Sequence, residues 1–254
     1  MSTLPLQGWT VLSLRPRGQH AGLRAAAARE GAQLLALSPM RIAPNTDADS
    51  RAILQRALAA DTVIFTSPNA VAAAHALQPL AHAGGQTWLA VGAGTLRALQ
   101  LLGIDATAPA RMDSEGLLAL PALQALAGRS VGLVTAPGGR GLLADALVAR
   151  GANLLRANVY TRVADTITPA SWQRLSTALA RPARTLLALS SGEALQLLLA
   201  QVPANLADAL REARVVAASE RLAQLARDAG FHHVSTASSA RPAALVSAGI
   251  DAFV

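Results

Sequence analysis

The chain has 254 residues, of which 52% are hydrophobic and 15% are charged, and its formal net charge at pH 7 is +7. This composition is typical of a folded globular protein and far from that of a disordered chain. Because there is no cysteine, disulfide bonds, thiolate nucleophiles, cysteine-ligated zinc and iron–sulfur clusters are excluded.

Lysine is also absent, so all 22 basic residues are arginines. Schiff-base catalysis, attachment of pyridoxal phosphate and a Walker-type phosphate lysine are therefore excluded. The positive net charge suits either nucleic acid or a small polyanion. Aromatic residues make up only 3% of the chain and no dense arginine run occurs, so we expect no nucleic-acid partner.

No apolar run reaches the roughly 18 residues that a membrane span requires. The first residues also lack the layout of a secretory signal. We therefore expect a cytoplasmic protein with no membrane partner.

The histidines and the glycine-rich turn give no sign of a metal or a cofactor. No ligand-plus-carboxylate spacing accompanies the histidines, which we expect on the surface or in loops: His20, His75, His82, His232 and His233. The stretch PGGRG resembles a phosphate cradle but lacks its lysine and spacing.

Strand and helix signals alternate along the chain. Residues 1–60 predict strand Val11–Leu14, helix Gly18–Glu30, strand Leu34–Leu37 and helix Ser50–Ala60. Residues 61–160 predict strand Thr62–Phe65, helix Pro68–His82, strand Trp88–Val91, helices Thr95–Leu102 and Ser114–Ala127, strand Val131–Thr135, helix Leu142–Arg150 and strand Leu154–Tyr160. The rest predicts helix Pro169–Ala180, strand Thr185–Leu189, helix Glu193–Gln201, strand Arg214–Ala218, helix Arg221–Ala229, strand His233–Thr236 and a helix from Pro242. Such alternation predicts parallel sheets with right-handed crossovers.

An internal repeat organises these elements. The stretch from Val131 matches the stretch from Val11, and FTSPNAV matches LSSGEAL further on. Because the unit that closes the first copy opens the second, we predict two similar, interleaved α/β domains. Residues 1–38 and 167–254 form one domain and 45–160 the other, with 39–44 and 161–166 as linkers. Chance similarity of Ala/Leu-rich helices is the alternative.

Short motifs occur in a fixed order along the chain: VLSLRPRGQ, VIFTSPNAV, AVGAGTLRALQLLGI, DSEGLLAL, NVYTRV and LLALSSGEAL. This ordered set resembles the uroporphyrinogen-III synthase family. The resemblance covers nearly the whole chain. It implies two parallel-sheet domains joined by a two-stranded ribbon, with an interdomain cleft between them.

The predicted site lies where helices begin after parallel strands. Ligands of open parallel sheets bind outside the carboxyl ends of the strands, and helix N-termini there suit anions. We assign substrate binding to Arg15, Arg17, Ser67, Asn69, Gly92, Gly94, Ser114, Gly138, Gly139, Arg140, Ser191, Gly192 and Ser219. The four serines are equally expected as plain N-caps.

Catalysis is assigned to Tyr160 and Thr95. Tyr160 is the only tyrosine, matches the tyrosine of the family's VY stretch, and could donate to a departing hydroxyl group without being charged. Thr95 matches a cleft position of the family. Packing at the hinge is the alternative for Tyr160, and helix capping is the alternative for Thr95.

The resemblance implies cyclisation of hydroxymethylbilane, a linear tetrapyrrole with eight carboxylates, with inversion of its last ring through a spiro intermediate. The product is uroporphyrinogen III of heme biosynthesis, and no cofactor is expected. A non-catalytic two-lobed binder of an anionic metabolite and a nucleotide-using transferase are the rival interpretations. We expect a monomer, and transient contact with hydroxymethylbilane synthase stays open.

Overall fold

The computed structural model describes residues 4–138 and 141–254. The chain divides into two compact units. Unit 1 comprises residues up to 41 together with 163–254, and unit 2 comprises residues 42–162.

Strands and helices alternate along the described chain. Its first part contains β1 Thr10–Ser13, α1 Ala21–Arg29, β2 Gln33–Ala36, β3 Met40–Pro44, α2 Ala48–Leu58, β4 Thr62–Phe65, α3 Pro68–Leu77, β5 Thr87–Ala90, α4 Ala93–Gln100, α5 Ser114–Leu118 and β6 Ser130–Thr135. The remainder contains α6 Gly141–Ala149, β7 Asn153–Asn158, β8 Tyr160–Ala164, α7 Pro169–Leu179, β9 Thr185–Leu189, α8 Gly192–Leu199, α9 Ala204–Arg211, β10 Arg214–Ala217, α10 Glu220–Asp228, β11 His233–Thr236 and α11 Pro242–Phe253.

The sheet of unit 1 is five-stranded and parallel, in the order β11-β10-β9-β1-β2. Successive side chains of a strand point to opposite faces, and both faces are covered by apolar clusters. Leu12 and Leu187 lie in one cluster, whereas Val11 and Leu186 lie in the other. This two-sided burial explains why the strands read as continuous apolar runs.

The sheet of unit 2 has the order β5-β4-β6-β7 and is also parallel. A single parallel bridge joins Leu89 of β5 to Thr107. Ile64 and Leu133 pack on one face of the sheet, and Phe65 and Val134 pack on the other.

Strand register confirms the two similar α/β domains and agrees with the repeat found in the sequence. Val11 pairs with Leu34 in unit 1, and Val131 pairs with Leu154 in unit 2, so both partners are shifted by 120 positions. The sheet orders correspond as well, with β9-β1-β2 of unit 1 matching β4-β6-β7 of unit 2.

The predicted two-stranded ribbon is present as β3 paired with β8. Hydrogen bonds flank the pair at both ends, from Asn45 N–H to Val159 O at 3.0 Å and from Asp165 N–H to Pro39 O at 2.8 Å. The ribbon falls at the chain positions where unit 1 and unit 2 meet in sequence.

Several predicted element ends were wrong, and prolines and glycines explain them. The helix predicted over Pro68–His82 ends at Leu77, two residues before Pro79, because proline disfavours helical backbone at the residue before it. The helix predicted over Ser114–Ala127 stops at Leu118, and a short 3-10 turn begins at Pro121. Helix α1 begins at Ala21 rather than Gly18, whose φ of +83° lies in the left-handed region.

Helix α9 was absent from the predicted elements. It follows Pro203 and buries only Leu206 and Leu210. None of the helices in the described parts of the chain combines the length and the apolar character needed to cross a bilayer.

Candidate functional site

In unit 2, hydroxyl groups cluster at the carboxyl ends of β4 and β6. Thr66 Oγ1 donates to Thr135 Oγ1 at 2.9 Å, which links the ends of the two strands. Ser67 is the N-cap of α3, and its Oγ accepts from Ala70 N–H at 3.1 Å. Pro68 is the first helical residue, as predicted, and Asn69 follows it.

The hydroxyl of Tyr160 lies 3.1 Å from Ser67 Oγ. The Tyr160 side chain is only 2% exposed and packs in the apolar cluster that contains Phe65. The Arg162 guanidinium lies 5.9 Å from its ring centroid.

Chemistry decides which hydroxyl donates in this pair. A buried Tyr160 proton has no other acceptor among the described residues, and an unpaired buried donor is costly. Tyr160 therefore donates to Ser67, whose oxygen already accepts from Ala70. With both lone pairs of its oxygen used, half-buried Ser67 directs its own proton away from the pair.

Helix α4 begins after β5 with Gly92 as its N-cap residue. A Cβ on Gly94 would lie 3.4 Å from the Pro68 side chain, so the glycine allows α3 and α4 to begin close together. Thr95 is only 3% exposed, and its N–H donates to Gly92 O at 3.0 Å. This backbone bond fits the alternative of a helix-start role for Thr95, and its catalytic role stays a prediction.

Ser114 is not the N-cap of its helix. Asp113 takes that position and accepts from Gly116 N–H at 2.8 Å. Arg111 Nε donates to the Asp113 carboxylate at 2.6 Å. Hydrogen bonds from Gly116 first, and then the Arg111 contact, lower the pKa of Asp113. The Asp113 carboxylate therefore already accepts hydrogen bonds from neighbouring residues of the same segment.

After β6, Gly138 adopts a φ of +72°, a conformation that favours glycine. Gly139 and Arg140, the other two predicted residues of this turn, lie outside the described residues.

In unit 1, Arg15 follows the carboxyl end of β1. Its Nη2 donates to Ala240 O at 3.1 Å, while its Nε is buried without a partner among the described residues. Burial lowers the pKa of Arg15, although a guanidinium stays charged at pH 7. A carboxylate partner would relieve this unpaired donor.

The Arg17 side chain is already paired. Its Nη2 lies 3.0 Å from Asp165 Oδ2, with the arginine mostly exposed and the aspartate mostly covered. The contact is an ion pair without hydrogen-bond alignment, since Asp165 Oδ2 has no hydrogen-bond partner among the described residues. The backbone N–H of Arg17 donates to Met40 O at 3.2 Å.

The other helix starts of unit 1 repeat the pattern of unit 2. Ser191 Oγ accepts from Ala194 N–H at 3.2 Å, as Ser67 does from Ala70. Exposed Ser219 occupies the N-cap of α10 without a capping bond from its side chain. A Cβ on Gly192 would lie 2.8 Å from Leu225 Cδ2, so α8 begins close to the Leu225 side chain of α10.

His20, expected on the surface or in a loop, lies in the loop before α1 but is buried. It is only 8% exposed, and its ring lies between two serines at the carboxyl ends of β1 and β2. Its Nδ1 lies 2.9 Å from Ser13 Oγ, and its Nε2 lies 2.7 Å from Ser38 Oγ. Burial first, and then the nearby charges of Arg24 and Arg15, lower the pKa of His20. No periodic pattern in the sequence distinguishes it from the exposed histidines.

Among residues 4–138 and 141–254, no group of three His, Asp or Glu side chains could hold a metal ion. Each unit instead presents hydroxyl groups and helix starts after its parallel strands, and unit 1 adds arginines. These features define an α/β protein of two repeated units whose strand ends suit an anionic ligand.

Comparison with known proteins identifies the family. A family model described as uroporphyrinogen-III synthase HemD matches residues 21–247. The uroporphyrinogen-III synthase of Salmonella typhimurium is 36% identical over an alignment of 202 residues, and the match covers 74% of this chain and 78% of that protein. The Escherichia coli enzyme is 36% identical over 143 residues, 54% of this chain and 55% of its own. The chain belongs to the uroporphyrinogen-III synthase family.

Solved structures agree in fold. A mutant uroporphyrinogen III synthase from the extreme thermophile Thermus thermophilus has a TM-score of 0.61 at 22% identity, and uroporphyrinogen-III synthetase from Helicobacter pylori has 0.62 at 13% identity. Each comparison covers 96% of this chain and 98% of the other.

Proposed function

We propose that this chain cyclises hydroxymethylbilane to uroporphyrinogen III, with loss of water and inversion of the last pyrrole ring. The observation that carries the proposal is the match to the uroporphyrinogen-III synthase family model over residues 21–247. The proposed reaction needs neither a lysine Schiff base nor a cysteine nucleophile, and the chain contains neither lysine nor cysteine.

The strand ends of each unit supply donors for a ligand rich in carboxylates. Unit 1 offers the partly unsatisfied guanidinium of Arg15 and the exposed hydroxyl of Ser219. Unit 2 offers the outward proton of Ser67 and the start of α4 at Gly92. Helix N-termini and charged donors are favourable partners of carboxylates. Arg17 contributes less, because Asp165 already neutralises it.

The Ser67–Tyr160 pair is the proposed aid to the leaving group. Tyr160 donates to Ser67 and orients it, and Ser67 donates to the departing hydroxyl of the substrate. Such a hydrogen bond stabilises the hydroxyl as the carbon–oxygen bond breaks. Because Tyr160 is buried, we place its action behind Ser67 and not in direct contact with the substrate.

The rest of the task is conformational. Spontaneous closure gives the non-inverted isomer, so the enzyme must hold the chain folded in the geometry that leads to the spiro intermediate. Orientation of this kind can supply several kcal/mol without a dominant side chain. We therefore expect single substitutions among the strand-end donors to give partial losses.

Separation of the product isomers tests the proposal. Hydroxymethylbilane is generated immediately before addition, and its cyclic products are resolved into type III and type I. Excess type III supports the enzyme, whereas type I alone with tight binding of the tetrapyrrole supports the non-catalytic binder. Arg15→Ala and Arg51→Ala, an exposed arginine on α2, form a matched pair. Only the first is expected to raise KM.

The proposal includes a cytoplasmic monomer that makes transient contact with hydroxymethylbilane synthase. Instability of hydroxymethylbilane supports such a contact, because a direct transfer would limit spontaneous closure. Light scattering of the purified chain measures its oligomeric state, and light scattering of the chain with the synthase measures their contact. A stable dimer would contradict the monomer.

A further inference from the structure

Unit 1 contains a groove at the amino ends of its strands, opposite the strand ends described above. Thr10 begins β1 and Gln33 begins β2, and both line the groove. Its volume is about 630 Å³, which lies in the range of small-molecule sites. We call it the arginine groove and define it by Thr10, Gln33, Leu34, Arg174, Arg181 and Arg184.

Three arginines line this groove, and no Asp or Glu lines it within the described part of the chain. Arg174 lies on α7, whereas Arg181 follows the end of that helix and precedes the short 3-10 turn Pro182–Arg184. Arg184 precedes β9, and its Nη1 lies 3.5 Å from the position of a Cβ built on Gly8. Three positive charges therefore converge from two elements.

These guanidinium groups are almost without partners inside the protein. Within residues 4–138 and 141–254, Arg181 and Arg184 make no side-chain hydrogen bond or ion pair. Arg174 reaches only Ser171 Oγ, at 3.4 Å. Uncompensated like charges in a concave surface concentrate a positive potential that attracts anions.

Capping of α7 does not account for the arginines. Basic residues often satisfy the last carbonyls of a helix, but Thr185 serves that function here. Its Oγ1 donates to Ala178 O at 2.9 Å and to Arg181 O at 3.3 Å. The arginine side chains remain available to a ligand.

The repeat supplies an internal comparison. Helix α2 of unit 2 has the same length as α7, and Ile53 stands at the position that corresponds to Arg174. A cavity lined by Ile53 exists there too, but its volume is only about 220 Å³. A Cβ on Gly132 would lie 1.9 Å from Ala57 O, so α2 packs directly on β6. The corresponding residue of unit 1 is the buried Leu12, which packs in one apolar cluster with Leu175 and Leu179 of α7.

We propose that the arginine groove binds a small organic polyanion with two or more carboxylate or phosphate groups. Guanidinium forks match both oxyanions, and Leu34 adds an apolar wall for the carbon skeleton. The site is distinct from the proposed tetrapyrrole site, because the length of β1 separates Thr10 from Arg15 by roughly 15 Å.

Titration calorimetry with citrate, pyrophosphate and ATP tests this site. The groove variant is Arg174→Gln, Arg181→Gln and Arg184→Gln. The control variant is Arg29→Gln, Arg51→Gln and Arg129→Gln, which removes the same charge from three exposed positions. Thermal unfolding verifies that both variants are folded.

We expect saturable binding of one equivalent of at least one ligand by the wild type. Affinity should fall more than about tenfold in the groove variant and stay within about twofold in the control. Binding of citrate alone identifies a carboxylate site, and binding of pyrophosphate or ATP identifies a phosphate site. Three results would overturn the proposal: no saturable binding at millimolar concentration, equal weakening in both variants, or binding that survives in the groove variant and disappears in Arg15→Ala.

Discussion

Ser67 and Ser191 occupy equivalent N-caps in the two units, but only Ser67 receives a tyrosine hydroxyl. Both serines cap a helix, and each cap contributes about 1 kcal/mol to folding stability. Capping is therefore the role that the fold itself requires at this position. The additional Tyr160 contact, which unit 1 lacks at Ser191, is the difference on which we base the proposed role of Ser67.

Tyr160→Phe is expected to lower kcat while leaving the affinity for tetrapyrrole nearly unchanged. The ring keeps its packing, but Ser67 loses the donor that orients its proton outward. Single-turnover cyclisation and equilibrium binding measure the two quantities. An unchanged rate would assign Tyr160 to packing alone.

Ser67→Ala and Ser191→Ala provide the matched control. Both variants lose a cap and about 1 kcal/mol of stability, but only Ser67→Ala should slow turnover. Combined with Tyr160→Phe, Ser67→Ala should add little further loss of rate, because both changes disrupt the same donor pair. Additive losses would contradict a shared role.

Protonation of His20 is expected to make the folding stability of the protein depend on pH. Its pKa is lowered in the folded protein, so the unfolded chain takes up a proton first as the pH falls below about 6.5. The contribution of neutral His20 to folding is thus present above that pH and lost as the pH falls through the folded pKa.

His20→Gln should reduce stability at pH 8 by about 1–2 kcal/mol, because two buried hydrogen bonds are impaired. The difference from the wild type should shrink between pH 7 and pH 5. Urea unfolding at each pH measures it, with exposed His75→Gln as the control. A constant difference across this range would contradict the assignment.

At the scale of elements, apolar runs and turn residues predicted the strands of both sheets. The runs that became β4 and β9 are buried on both faces, which is why the sequence displays them so clearly. The ribbon strand β3 and helix α9 bury little, so their patterns are weak. The sequence therefore predicts sheets better than connections.

The sequence predicted which residues follow the strand ends, but it did not predict the contacts that these residues make, and their roles in binding stay predictions. Ser67 and Ser191 were correctly identified as capping residues, because capping depends on local sequence. The burial of His20, the pairing of Arg17 with Asp165 and the capping of α5 by Asp113 depend on residues brought together by the fold or on side-chain competition.

Gly132→Ala tests the packing of α2 on β6. The added Cβ would lie 1.9 Å from Ala57 O, a backbone atom that cannot move alone. We expect a loss of about 3 kcal/mol or more from overpacking, measured by urea unfolding. Gly84→Ala is the control, since a Cβ there meets nothing within 4 Å. Equal stability of the two variants would contradict this packing.

At the scale of the whole molecule, one α/β plan is used twice with different residues. Matching registers of β1–β2 and β6–β7 show a common scaffold. The copies differ in the residues to which we assign specific chemistry: Tyr160 behind Ser67 in unit 2, and Arg15 and the arginine groove in unit 1. Fold alone does not decide function, so activity must be measured on the intact chain.

The isomer ratio at increasing enzyme concentration shows whether this chain forms uroporphyrinogen III. Without enzyme, fresh hydroxymethylbilane should close to type I. As the chain is added, type III should rise until it replaces type I as the product, because oriented closure outruns the spontaneous reaction. A ratio that stays at type I at every enzyme concentration would contradict the account.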